Sequence, residues 1–209
     1  MSKTPAKPEE IDRIKSKIIE ESISLINEIG FSNFSMRKLG SRLGIAAKTI
    51  YNYFSDKDEL YLQVLVRGFY ILHKKMEEAS LLHKDPYKQL YAMAHAYIRF
   101  GLENSHYYNV LFSLDLPRFR DYVGTEHEEL AYFQNQSAIK IAELTGGIID
   151  KIRKKKSSKG KKNTGYLLLQ LWSRLHGIVS LSNNRITLEV GDFKSVLNQM
   201  VDDAVLDLK

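Results

Sequence analysis

Cysteine is missing from all 209 residues, so disulfide frameworks, thiolate metal sites and cysteine nucleophiles are excluded and stability has to come from packing. Proline is scarce, with four in the chain (Pro5, Pro8, Pro86 and Pro117), and nowhere do apolar and polar residues alternate between turn signals as they do in a half-buried strand. With strands unsupported and helix breakers rare, the expected fold is all-α, with about nine helices. Long apolar runs are lacking too. Nothing approaches the roughly 20 residues that span a bilayer, and the opening MSKTPAKPEE has no secretory apolar stretch. A cytoplasmic, nucleoid-associated protein with no membrane partner is expected.

Catalytic parts are lacking as well. No Gly-rich phosphate loop and no Gly-x-Ser-x-Gly elbow occurs, and His73, His83, His95, His106, His127 and His176 are scattered without metal-ligand spacing. His73 and Glu77, four apart, read as a solvated helix pair. The expectation is no enzyme, no cofactor and no metal. What is there is 44% hydrophobic and 27% charged residues with a net charge of +6, the profile of a basic globular protein for which an anionic partner such as nucleic acid is one reading. The length fits one domain, or a small domain joined to a larger one.

Helical periodicity organises the chain. Ile11, Ile14, Ile18, Ser22, Leu25, Ile26 and Ile29 recur at spacings of three and four, and Gly30 ends the run. Ser35 is an N-cap residue with Phe34 and Leu39 placed to staple the start of a helix over 36–43, which Gly44 stops. A second short helix is expected over 47–54. Asp56 with Glu59 forms a capping box for a long helix reaching about 82, whose face carries Leu65, Phe69, Leu72 and Met76. Helices follow at about 87–104, 126–150, 165–183 and 193–207, with the aromatic-rich SHYYNVLFSLDLP left between the first two. The segment 151–164 reads as a solvated, flexible basic loop, since eight of residues 151–162 are Lys or Arg. Two domains are expected, 1–56 and 57–209.

Two short helices joined by Gly44, Ile45 and Ala46 have the outline of a helix-turn-helix. At 100° per residue, Ile50 and Phe54 share one face of the second helix, Lys48 and Asn52 fall nearly opposite, and Tyr51 and Tyr53 project to the flanks. That arrangement suits a helix in a major groove, with outward residues at base edges and flanking phenols on phosphates. Ala46 and Ala47 are small enough for the backbone to approach the nucleic acid closely. Tyr51 and Tyr53 packed half-buried in a helical bundle is the plainer reading, and the spacing alone leaves both open. Gly40, inside a helix at a cost of up to about 1 kcal/mol relative to alanine, points to a close helix crossing.

Residues of about 10–60 resemble the DNA-binding domain of the TetR (tetracycline-repressor) family of bacterial regulators. The resemblance is carried by EIGFSNFSMRKLGSRLGI, KTIYNYF and DKDEL. It implies phosphate contacts from Ser35, Thr49, Tyr51, Tyr53 and Lys57, with Arg37, Ala47, Lys48 and Asn52 nearest the bases. Alanine at Ala46 and Ala47, where many relatives carry serine, another polar residue or glycine, leaves base reading to Lys48, Asn52 and Arg37, with alanine against a thymine methyl. A second likeness, at LWSRLHGIVSL, is to the Trp-x-x-x-His-Gly motif of one group of C-terminal domains in that family. Trp172 and His176 share a helix face, and a packed pair at a helix interface is the plainer reading of them.

The resemblance further implies a homodimer built on the last two helices, with Leu175, Val179, Phe193, Val196, Leu197, Met200, Ala204 and Leu208 supplying apolar surface, and a near-palindromic DNA operator. Phe69, His73, Met76, Met93, Tyr97, Tyr107, Tyr108, Phe112, Tyr132 and Phe133, with Trp172 and His176, can line a pocket for an apolar or aromatic effector. The expected function is a DNA-binding transcriptional regulator, a repressor released by such an effector. The alternative is a DNA-associated scaffold whose C-terminal domain binds a protein.

Overall fold

Gly30 ends the first helix where the apolar stripe runs out. Its φ of 74° lies in the left-handed region that a β-carbon disfavours, and the chain leaves α1 (Pro8–Ile29) through a 3-10 turn at Phe31–Asn33. The computed structural model describes residues 7–112, 116–155, 163–184 and 191–206. Among these, α1 is followed by α2 (Met36–Leu43), α3 (Ala47–Tyr51), α4 (Lys57–Leu81), α5 (Pro86–Glu103), α6 (Ser105–Phe112), a 3-10 turn at Phe119–Tyr122, α7 (Glu128–Lys155), α8 (Thr164–Asn183) and α9 (Phe193–Leu206). No strand occurs among them, and the fold is all-α.

The chain divides into two compact units. One joins the N-terminal part up to Gly68 with Asn109–Asn135, and the other joins Phe69–Tyr108 with the chain from Gln136 onward. The division therefore falls inside α4, not at the 56/57 junction where the sequence suggests a domain boundary, and the first unit reclaims a segment from the middle of the chain. Its core is the stripe of α1 (Ile18, Ile19, Ile23, Ile26) closed by Phe31, Phe34, Leu39, Ile50, Phe54 and Leu60. Ser22, the one hydroxyl on that stripe, is buried but donates to the Ile18 carbonyl at 2.6 Å, which removes the cost of burying it unpaired.

In the second unit α5 packs on α8 and α9. Gly101 is the notch: a β-carbon there would stand 2.5 Å from Val179 Cγ1, so α5 and α8 approach as closely as they do only because that carbon is missing. Starts follow capping chemistry. Asp85 accepts from the Tyr87 and Lys88 amides ahead of Pro86, and Asn163 accepts from the Tyr166 amide at the head of α8.

Three expectations are corrected. The recognition-like helix stops at Tyr51 instead of 54, because the Tyr53 and Phe54 amides both turn to the Ile50 carbonyl and the last turn tightens. The aromatic-rich stretch left unassigned is α6 over its first eight residues. The basic segment 151–164 is not all loop: α7 continues to Lys155 because Ile152 extends the buried stripe of Ile141, Ile148 and Ile149. Residues 156–162 lie outside the described residues, and Asn163 and Thr164 already cap and begin α8.

The dimer residues also need correction. Leu175, Val179, Leu197 and Ala204 are buried within the chain itself, so they belong to the core of the second unit and have no surface to give a partner. Phe193 and Val196 are partly exposed and Met200 is exposed, while Leu208 lies outside the described residues.

Candidate nucleic-acid interface

The interface is built on the corner between α2 and α3. Ser35 starts α2, its hydroxyl accepting from the Lys38 amide at 3.2 Å, and Gly44 ends it in the left-handed conformation with φ 68°. The Gly44 amide donates to the Ser41 carbonyl and the Ile45 amide to the Gly40 carbonyl, the paired bonds of a Schellman ending. A β-carbon on Gly40 would meet the Ile45 carbonyl oxygen at 2.8 Å and the Ala47 nitrogen at 3.1 Å. The glycine is what lets α3 cross α2 at this distance.

Five residues cannot hold a helix by themselves. Burial of Ile50 and Phe54, together worth about 3–6 kcal/mol, seats α3 on the first unit and thereby turns its other faces outward. Lys48, Tyr51 and Asn52 are exposed, Tyr51 by 51%, and Thr49 and Tyr53 are partly exposed on the flanks. Arg37 and Ala46 are exposed, and Ser35, Ala47 and Lys57 partly so. The ten residues expected at DNA are thus all exposed or partly exposed on the first unit, while Ile50 and Phe54 in the same stretch are buried. The Lys57 ammonium rests 4.3 Å from the centroid of the Phe31 ring, a cation–π contact that holds it near the corner.

Sequence spacing missed the brace behind this corner. Arg42 donates to Glu21 at 3.0 Å, to Glu28 at 2.5 Å and to Ser24 at 2.8 Å, fastening α2 to α1, and its guanidinium is held further toward the charged form by the hydrogen bonds to Glu28 and Glu21. All three partners lie 14 to 21 residues away, beyond the reach of any i,i+4 reading. The fold also brings Asp56, Glu126 and His127 together, with one ligand atom from each within 4.8 Å. Asp56 already accepts from the Asp58 and Glu59 amides, which is the work of a helix cap, and its other oxygen accepts from His127.

The expected effector residues are divided. Within the second unit Tyr97, Tyr108 and His176 meet, both hydroxyls 2.8 Å from His176 Nδ1, and Phe69, Met76 and Met93 are buried. Burial pushes both tyrosine hydroxyls up and the His176 imidazole down, so the trio is a neutral polar island in an apolar interior. Trp172, one turn before His176, has its indole N–H buried without a hydrogen-bond partner among the described residues. His73 is partly exposed. Phe112 is partly exposed in the first unit, where Tyr132 and Phe133 stand 54% exposed on α7. A separate cleft of about 450 Å³, lined by Lys75, Tyr91, His95 and Arg99 among others, contains none of the expected effector residues.

A short helix seated by two apolar residues, braced by a second helix across a glycine corner and presenting Lys48 and Asn52 outward, defines a helix-turn-helix protein. Comparison with known proteins makes the class specific. Residues 18–64 match the model of bacterial regulatory proteins of the tetR family, and residues 90–204 match a tetracyclin repressor-like C-terminal domain. The chain belongs to the TetR family, a family of transcriptional regulators and not of enzymes.

The chain is 28% identical over 76 residues (36% of this chain, 37% of the other) to the HTH-type transcriptional repressor KstR of Mycolicibacterium smegmatis. It spans less than half the length of the curated relatives it matches. Among solved structures it resembles the fatty acid degradation regulator FadR of Bacillus halodurans, with a TM-score of 0.70, 17% identity and coverage of 100% and 96% of the two chains. The FadR of Bacillus subtilis, solved in complex with stearoyl-CoA, gives a TM-score of 0.70 at 17% identity over 91% and 97%. At that identity the likeness is one of fold. No described helix is long and apolar enough to cross a membrane.

Proposed function

We propose that this protein is a sequence-specific DNA-binding repressor that acts as a homodimer and is released from its operator by a small, largely apolar effector. The observation that carries the DNA reading is the split within residues 47–54: Ile50 and Phe54 buried, Lys48, Tyr51 and Asn52 outward on the same short segment. Lys48, Asn52 and Arg37 read base edges, with Ala46 and Ala47 close to the groove. Ser35, Thr49, Tyr51, Tyr53 and Lys57 hold phosphates.

The dimer face is the outward stripe of α8 and α9. Tyr166, Leu169 and Leu181 on α8 and Met200 on α9 are exposed, and Ser173 and Gly177 between them keep the stripe narrow enough for another helix pair to approach. A groove of about 490 Å³ runs along it, lined by Ser173, Gly177, Leu181 and Met200. Two copies joined there present two recognition helices to a near-palindromic site.

Effector recognition is assigned to the Tyr97, Tyr108 and His176 island with Trp172, apolar walls around a few polar groups being the usual make-up of a ligand site. A ligand with an acceptor atom for the indole N–H and an apolar body matches it. Because α4 runs unbroken from Lys57 to Leu81, a ligand that favours one position of its second half moves the recognition helix attached to its first, and operator affinity falls by population shift. Fatty-acyl thioesters are the first class to screen, given the ligand in the Bacillus subtilis FadR complex.

Selection of bound fragments from genomic or random DNA by the purified protein tests the reading directly. A near-palindromic consensus is expected; recovery of no sequence enriched over input would sink it. A ligand screen that shifts affinity for that consensus by no more than about threefold would remove the effector half.

A further inference from the structure

We infer that Tyr122 and His127, in the segment between α6 and α7, are positioning residues for DNA recognition: they hold the Asp58 and Asp56 carboxylates that flank Lys57 away from the phosphate it binds. The inference rests on the DNA-binding reading above and adds to it residues that lie about 70 positions further along the chain.

The turn from α3 into α4 is where the recognition helix is set. Ser55 donates its amide to Glu59 Oε2 at 2.6 Å, and Asp56 Oδ1 accepts from the Asp58 and Glu59 amides at 2.9 and 2.8 Å. That already completes the cap of α4. The remaining carboxylate oxygen of Asp56 accepts from His127 Nε2 at 2.8 Å, and Asp58 Oδ1 accepts from the Tyr122 hydroxyl at 2.8 Å. Capping requires neither bond. Both go to one short segment, whose rings of Tyr122 and His127 meet edge-on at 6.3 Å.

The segment is ordered for this task by its own bonds. Tyr61 donates its hydroxyl to the Pro117 carbonyl at 3.1 Å, Thr125 donates to the Tyr122 carbonyl at 2.8 Å, and the Gly124 amide donates to Glu128 at 2.7 Å. Tyr122 is buried, and the His127 side chain is only 14% exposed. The donors therefore stand in fixed places and the carboxylates come to them.

Charge explains why this matters at this position. A phosphate-binding lysine between two aspartates on a helix start faces competition, because either carboxylate can neutralise the ammonium or repel the phosphate. Here both carboxylates turn toward Tyr122 and His127. The Lys57 ammonium pairs with neither of them among the described residues and lies instead on the Phe31 ring, a face it can leave for a phosphate at small cost.

The test uses the full chain with its selected operator and random DNA across a salt series. Tyr122→Phe and His127→Ala should each weaken binding to both DNAs by about tenfold and lower the salt slope by about one phosphate contact, with helicity and oligomeric state unchanged. His127→Gln, which keeps a side-chain N–H donor, should recover most of the loss. Adding Asp58→Asn to Tyr122→Phe should restore affinity, since it removes the freed charge; a packing defect would be worsened, not rescued. Variants that bind within twofold of the parent, or a double variant weaker than Tyr122→Phe alone, would overturn the inference. Failure of the parent protein to bind any DNA would instead overturn the functional reading on which it rests.

Discussion

Lys48, Asn52, Tyr51 and Lys57 lie within ten positions of one another, yet we propose different work for them. Lys48 and Asn52 are exposed on the segment whose Ile50 is buried, the side that we propose faces the floor of a groove. Lys48→Ala and Asn52→Ala should therefore lower operator affinity by about 1–3 kcal/mol while leaving random DNA nearly unchanged. Tyr51→Phe and Lys57→Ala should weaken both alike, and Lys57→Ala should also flatten the salt dependence. Competition binding against both DNAs at three salt concentrations checks this, and equal losses from all four would contradict the division. The outward placement of Lys48, Tyr51 and Asn52 was legible from spacing because a helix converts sequence distance directly into angle, whereas Lys57 came from the family resemblance alone. Arg42, Tyr122 and His127 were not legible, since each meets partners brought in by tertiary packing.

At the scale of elements, glycines and caps carry the argument. Gly40 loses helix propensity worth up to about 1 kcal/mol against alanine, but the alanine β-carbon would meet backbone at 2.8 Å, where nothing flexible can yield. Gly40→Ala should accordingly destabilise the first unit by about 1–3 kcal/mol, read as an earlier thermal unfolding transition, and cost operator affinity besides. A neutral or stabilising effect would mean that α2 and α3 can separate freely. The end of α1, both ends of α2 and the start of α4 followed from Gly30, Ser35, Gly44 and Asp56 acting locally. The bounds of α3 and α7 did not, for opposite reasons: Ile50 draws two amides into a tight turn and shortens α3, while buried Ile152 prolongs α7 through residues whose charge suggests a loop.

For the molecule as a whole, the partner face we propose is the outer stripe of α8 and α9. Leu169 on that stripe is exposed by 64%, and Leu169→Glu should convert dimer to monomer in light scattering and reduce operator affinity at least about tenfold through lost bivalency. An unchanged dimer would place the interface elsewhere. By itself the sequence determined the all-helical class, the caps, the glycine corner and the seating of α3, because these depend on contacts within a few turns of one helix or on the absence of a β-carbon. Only the tertiary structure decided which apolar faces of α8 and α9 are spent inside the chain, which tyrosines meet His176, and that residues 109–135 belong with the N-terminal helices. Periodicity says that a face is apolar; which neighbour covers it is settled when elements far apart in the chain compete to bury it.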